Sequence, residues 1–172
     1  MKDNIILTGF MGCGKTSVGI RLSYALKRTI IDTDKWIEKR QGKTVSDIFA
    51  SDGEEAFRQM ETSCIRELIE TENHRIISTG GGLPVREENH ALLKELGRVY
   101  YLKVTPAVVC ERLKGDTTRP LLQGADPQGK VKNLMAIRQP FYEKCADYVI
   151  EVSGKNFEEI IEEIVKKENS RL

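Results

Sequence analysis

The chain has 172 residues, enough for one compact domain with a substantial core and too few for two ordinary ones. Its 27 lysines and arginines nearly balance 26 acids to leave a net charge of +1, so the molecule as a whole has no pull toward nucleic acid or an acidic membrane surface. Four scattered cysteines with no CxxC point to free buried thiols rather than zinc, and no leader-like or membrane-length apolar run is seen, so a soluble cytoplasmic protein is expected.

Short β-branched runs alternate with stretches of helical period, the pattern of βαβ units around a parallel sheet. The first run, Asn4 to Thr8, leads into "GFMGCGKT", Gly9 to Thr16, which satisfies GxxxxGK[ST]. A helix is expected from Lys15 to Lys27, with Val18, Leu22, Ala25 and Leu26 on one face. Strand, glycine loop and helix together make a phosphate-binding site: glycines let backbone N–H groups point at phosphate oxygens, and the helix N-terminus adds its dipole. Gly12, Cys13, Gly14 and Ser17 are expected around the phosphates, with Lys15 neutralising them and Thr16 on Mg²⁺. No NKxD-type base-reading motif is present, which favours ATP over GTP.

The second run, Thr29 to Asp32, ends in "DTD". A two-residue spacing puts Asp32 and Asp34 on the same side of an extended segment, so both act in one place. Asp32 is the metal-side candidate and Asp34 the acceptor-side one, unless Asp34 merely caps the helix suggested by Trp36 to Arg40. Arg58 follows on a helix whose members Phe57, Met60, Cys64 and Leu68 face inward, and a solvated face is its default place. The third run, Arg75 to Ser78, opens onto Gly80, Gly81 and Gly82. These glycines either supply a tight turn with positive φ or let the backbone approach a ligand.

A fourth strand is expected over Arg98 to Val104, and Thr105-Pro106 fits an N-cap followed by proline at the first helical position. Lys114 to Lys130 mixes glycine, proline and polar residues, as a lid would, and carries Arg119. Arg138 lies where Pro140 interrupts a helical pattern. The fifth strand spans Asp147 to Val152, and Phe157, Ile160, Ile161, Ile164 and Val165 mark a final helix. In an open parallel sheet the ligand crevice lies outside the carboxyl ends of the strands, where the phosphate loop, the two acids and the glycine run all fall.

Taken together, "GFMGCGKTSVG", "DTD", "DIFASDGEEAFRQME", "STGGG", "RPLL" and "RQPFYEKCAD" resemble the shikimate kinase family, in order and across nearly the whole chain. The resemblance implies an α/β, three-layer P-loop kinase fold of the nucleoside-monophosphate-kinase type, one domain over 1–172, its parallel strands in order 2-3-1-4-5. It implies ATP- and Mg²⁺-dependent phosphorylation of shikimate at its 3-hydroxyl, on the way to chorismate and the aromatic amino acids. Carried over residue by residue, it implies shikimate against Asp34, Arg58, Gly80 to Gly82 and Arg138, within a helical segment of about 34–70 and its surroundings. It makes Arg119 the arginine of a lid over 114–130, puts Lys15, Asp34 and Arg119 in the chemistry and Lys155 near the nucleotide, and offers Phe49 and Phe57 as apolar walls or core. A monomer acting on small molecules is expected, without nucleic-acid or membrane partners. Two alternatives stay open: a kinase for gluconate or a nucleoside monophosphate, and a non-catalytic nucleotide-binding module.

Overall fold

The computed structural model describes residues 2–119 and 122–170; Pro120 and Leu121 of the RPLL run lie outside the described residues. Five parallel strands, β1 (Ile5–Thr8), β2 (Ile30–Asp32), β3 (Ile76–Ser78), β4 (Arg98–Lys103) and β5 (Tyr148–Glu151), form a sheet in the expected order β2-β3-β1-β4-β5. Strand β1 is central, with Ile5 opposite Ile76 on one side and Arg98 on the other. Each strand is the inner part of its apolar run, one or two residues shorter than the run itself.

The helices are α1 (Lys15–Leu26), α2 (Thr33–Gln41), α3 (Val45–Ser51), α4 (Glu54–Thr71), α5 (Glu88–Leu96), α6 (Pro106–Arg112), α7 (Pro127–Cys145) and α8 (Phe157–Asn169), with a 3₁₀ turn at Leu83–Val85. They cover both faces of the sheet, which is why the strands read as continuous apolar runs instead of alternating ones. Side chains of β1 still alternate between two cores. Ile5 and Leu7 pack with Val18 and Leu22 of α1 and Ile160 and Ile164 of α8, whereas Ile6 packs with Ile37, Ile48, Ile65 and Leu68 of α2, α3 and α4. Each such fully buried aliphatic side chain stabilises the fold by roughly 1.5–3 kcal/mol. Among the described residues no helix is long and apolar enough to cross a membrane.

Two expectations are corrected. The loop expected over Lys114 to Lys130 ends earlier, because α7 starts at Pro127 with Asp126 as its N-cap, whose side chain accepts from Gly129 N–H. Pro140 does not interrupt α7, which runs through it to Cys145. Proline removes one backbone bond there, but Val131, Met135 and Tyr142 bury the same helix against the core on both sides of it.

At the end of the sheet away from the loops, Asn4 is fully buried and ties three segments together. Its Nδ2 donates to the carbonyl of Leu96 at 2.8 Å, and its Oδ1 accepts from the N–H of Arg75 at 2.8 Å. Gly97 belongs to the same knot, since a Cβ there would lie 2.4 Å from the Asn4 carbonyl oxygen. Asn4→Ala leaves those backbone groups buried and unpaired, a cost of about 1–3 kcal/mol. The expected result is a Tm lowered by about 5 °C in calorimetry with kcat unchanged; an unchanged Tm would contradict the pairing argument.

Candidate active site

The loop after β1 bends back by using glycine where other residues are strained: Gly12 and Gly14 sit at φ 78° and 97°. Gly14 also starts α1 without a side-chain cap, so the first amides of that helix face a cleft lined by Lys15, Thr16, Ser17, Asp32 and Ser78. Cys13 does not join them as expected. Its N–H donates to the Phe10 carbonyl at 3.1 Å and its thiol is buried beneath the loop. Lys15 folds over that loop, its ammonium donating to the carbonyls of Gly9 at 2.7 Å and Phe10 at 3.1 Å, with the Cys13 sulfur 3.6 Å away.

Asp32 and Asp34 divide differently from the capping alternative. Strand β2 runs straight into α2, so the cap falls on Asp32, whose Oδ1 accepts from Lys35 N–H at 3.1 Å. Asp34 sits in the first turn, and its Oδ1 is buried without a partner. Burial raises its carboxyl above the usual range, the charge of Asp32 adds to this, and Lys15, Arg119 and Arg58 pull the other way.

Beside it lies a second cleft, lined by Phe49, Phe57, Arg58, Glu61, Gly82 and Arg138. Arg58 is not on a solvated face, because α4 turns it inward. Its Nη1 donates to Glu61 Oε2 at 2.7 Å and its Nη2 to Glu54 Oε1 at 3.2 Å. Burial opposes the Arg58 charge, but Glu61 and Glu54 hold its pKa above the ordinary value. The rings of Phe49 and Phe57, 5.1 Å apart, are both wall and core: they line the cleft and pack on the cluster beneath it. Arg138 is 4% exposed and reaches the cleft from α7.

The glycine run has a steric purpose. None of Gly80, Gly81 and Gly82 has positive φ, so a left-handed turn is not what calls for them. A Cβ at Gly80 would lie 2.6 Å from Asp34 Oδ1 and 2.8 Å from Glu61 Oε1, and one at Gly82 would lie 2.3 Å from Arg58 Nη1. Gly81 is less crowded, its nearest neighbour being the Met11 amide at 3.4 Å. The Gly80 N–H is not free for a ligand, since it donates to Thr33 Oγ1 at 2.9 Å.

Three residues went unread in the sequence. Glu61 is fully buried at 0% exposure, and the signal was its place at inward spacing between Phe57 and Cys64. Tyr142 follows Arg138 by one helical turn; its hydroxyl donates to the Gly81 carbonyl at 2.5 Å, tying α7 to the glycine run. Arg112 at the end of α6 donates to the Gly12 carbonyl at 2.9 Å, a long-range contact that no local pattern reveals. Lys155, by contrast, is not brought to either cleft and pairs with Glu163 at 2.6 Å. The two clefts share Met11, Asp34, Gly80, Gly81 and Arg119, so they meet as one site.

The family model for shikimate kinase matches residues 11–168. The chain is 41% identical over 163 residues to a shikimate kinase of Caldanaerobacter subterraneus, covering 95% of this chain and 94% of that one. It is 45% identical over 166 residues to one of Bacillus cereus, covering 96% and 98%. A solved shikimate kinase from Acinetobacter baumannii in complex with shikimate superposes with a TM-score of 0.93 at 36% identity, over 99% of this chain and 95% of that one. A deoxyadenosine kinase from M. mycoides, at 18% identity and a TM-score of 0.64, shares the fold alone. The chain belongs to the shikimate kinase family.

Proposed function

We propose that this chain transfers the γ-phosphoryl group of ATP to the 3-hydroxyl of shikimate, with the phosphate cleft holding the nucleotide and the arginine cleft holding the acceptor. The observation that carries the reading is the junction: Asp34 and Arg119 line both clefts, where a donor phosphate and an acceptor hydroxyl would meet. Arg58 and Arg138 offer planar forks suited to the acceptor's carboxylate, and Phe49 and Phe57 offer an apolar wall for its ring. An acyclic sugar acid lacks a ring to lay on that wall, and membership of the shikimate kinase family favours shikimate over a nucleoside monophosphate, whose phosphate the same arginines could also hold.

Asp34 orients the hydroxyl and receives its proton, and its raised pKa suits a group that must accept one. Lys15 and Arg119 stabilise charge on the transferring group, which requires Lys15 to exchange the loop carbonyls it now holds for phosphate oxygens. The lid bearing Arg119 excludes water, which would otherwise compete as acceptor.

The donor set suits Mg²⁺. Among the described residues no group of three or more His, Cys, Asp or Glu side chains converges on a metal position, so no all-protein cage exists. A hydroxyl from Thr16 and the carboxylate of Asp32 line the phosphate cleft, which matches an ion that keeps its waters and takes phosphate oxygens. When bound, Mg²⁺ neutralises phosphate charge as it moves to the leaving group.

A coupled assay of ADP release tests the reading: turnover with shikimate, and little with gluconate or a nucleoside monophosphate. Asp34→Asn is expected to lower kcat by about 10²–10⁴-fold, and full turnover in that variant would remove Asp34 from the chemistry. Arg119→Ala should lower kcat on the order of 10³-fold. Unchanged kcat and ATP KM would take the lid arginine out of the mechanism.

A further inference from the structure

We propose that Glu61 takes up a proton when the acceptor's carboxylate binds, so that acceptor affinity is linked to pH through a residue remote from the phosphates. The inference rests on the shikimate reading above and concerns the same cleft.

The geometry begins with two orphaned oxygens. Glu61 Oε2 accepts from Arg58, but its Oε1 is buried with no partner, and so is Oδ1 of Asp34. Both oxygens are packed against Gly80, within 2.8 Å of the single position a Cβ would take there. Two carboxylate oxygens aimed at one glycine, with no donor between them, repel each other, and each lacks the hydrogen bond a buried polar atom needs. One proton on Glu61 gives the orphaned oxygen a hydrogen to donate and removes one of the two like charges.

The groups facing Glu61 are few. Arg58 lies on its own helix with Glu54 behind it, and Cys64 lies one turn on. Asp34 approaches from α2 and Arg138 from α7, while the Gly80 to Gly82 turn brings no charge. Burial raises the Glu61 carboxyl most, Arg58 opposes this, Asp34 adds to it and Arg138 subtracts, leaving it at about 7. The free site is therefore balanced near neutral pH.

An incoming carboxylate tips that balance one way. It adds a further negative charge to the cleft, and it draws on the same two cations, Arg58 and Arg138, that support the ionised form of Glu61. Both effects raise the Glu61 pKa, so binding is accompanied by proton uptake. The sign follows: well below pH 7 Glu61 already holds its proton and binding takes up none. As pH rises through about 7 the proton must be acquired, and affinity falls by up to about tenfold per pH unit until the pKa of the bound state is passed. Glu61 is thus a positioning residue whose protonated form relieves the like charge beside Asp34 and leaves Arg58 to the substrate.

Calorimetric titration of the whole protein with shikimate, without nucleotide, in buffers of different ionisation enthalpy counts the protons directly. The expected result is uptake of roughly half a proton near pH 7, increasing toward about pH 8. Glu61→Gln copies the protonated form, since its amide oxygen can accept from Arg58 and the group carries no charge. It should abolish the uptake and flatten the pH dependence of the shikimate KM. No uptake by the unaltered protein across this range, or equal uptake by the Gln variant, would overturn the inference while leaving the acceptor assignment intact. No binding of shikimate at all would overturn the assignment and the inference with it.

Discussion

Burying ionised side chains together at one strand end is the constraint on which this site depends. Asp34, Arg58, Glu61 and Arg138 converge beyond β3, and a charge taken from water is tolerated only when paired. Arg58 and Glu61 meet that need for each other at 2.7 Å. What makes the crowding possible is a backbone without side chains: Gly80 and Gly82 leave space that Asp34, Glu61 and Arg58 fill to within less than a normal carbon contact. The cleft keeps two cations oriented at the cost of two carboxylate oxygens without partners, and that unsatisfied polarity is what a polyhydroxylated acid can relieve.

The rest of the fold supplies three converging supports for this cluster. Strand β2 hands directly to α2 and so fixes Asp34 two residues past the Asp32 cap and next to Thr33, whose hydroxyl holds Gly80. Helix α4 brings Arg58 and Glu61 on one face by their three-residue spacing. Helix α7 delivers Arg138 and is itself fastened to the glycine run through Tyr142. The nucleotide side is built by separate means, an uncapped helix after a glycine loop. Among the described residues the two halves share Met11, Asp34, Arg119 and the first two glycines, and the rest of each lining is its own, so they can be perturbed separately.

The parts of this arrangement readable in the sequence are those whose physics is local. Spacing alone reveals the phosphate loop, because Gly9, Gly14, Lys15 and Thr16 act within one short loop of chain, and β-branched runs mark the strands to within a residue or two. Asp126-Pro127 carries the same helix-start signature as Thr105-Pro106, yet surrounding glycines and polar residues mask it within a stretch that resembles a lid. The purpose of the glycine run is not legible locally at all. It depends on Asp34 and Arg58, residues far away in sequence, and the local alternative of positive φ is absent. Glu61 sits in the same position: one acid among many in "EEAFRQME", distinguished only by the inward face that tertiary packing gives it.

The central claim, that this glycine run exists to let charged side chains close around an acceptor carboxylate, is tested most directly by shikimate and ATP affinities of Gly82→Ala. The added methyl displaces Arg58 and touches nothing on the nucleotide side, so shikimate affinity should fall by at least about tenfold, the equivalent of one lost charge-assisted hydrogen bond, while ATP affinity is unchanged. Equal loss of both ligands, or full retention of shikimate binding, would contradict the account.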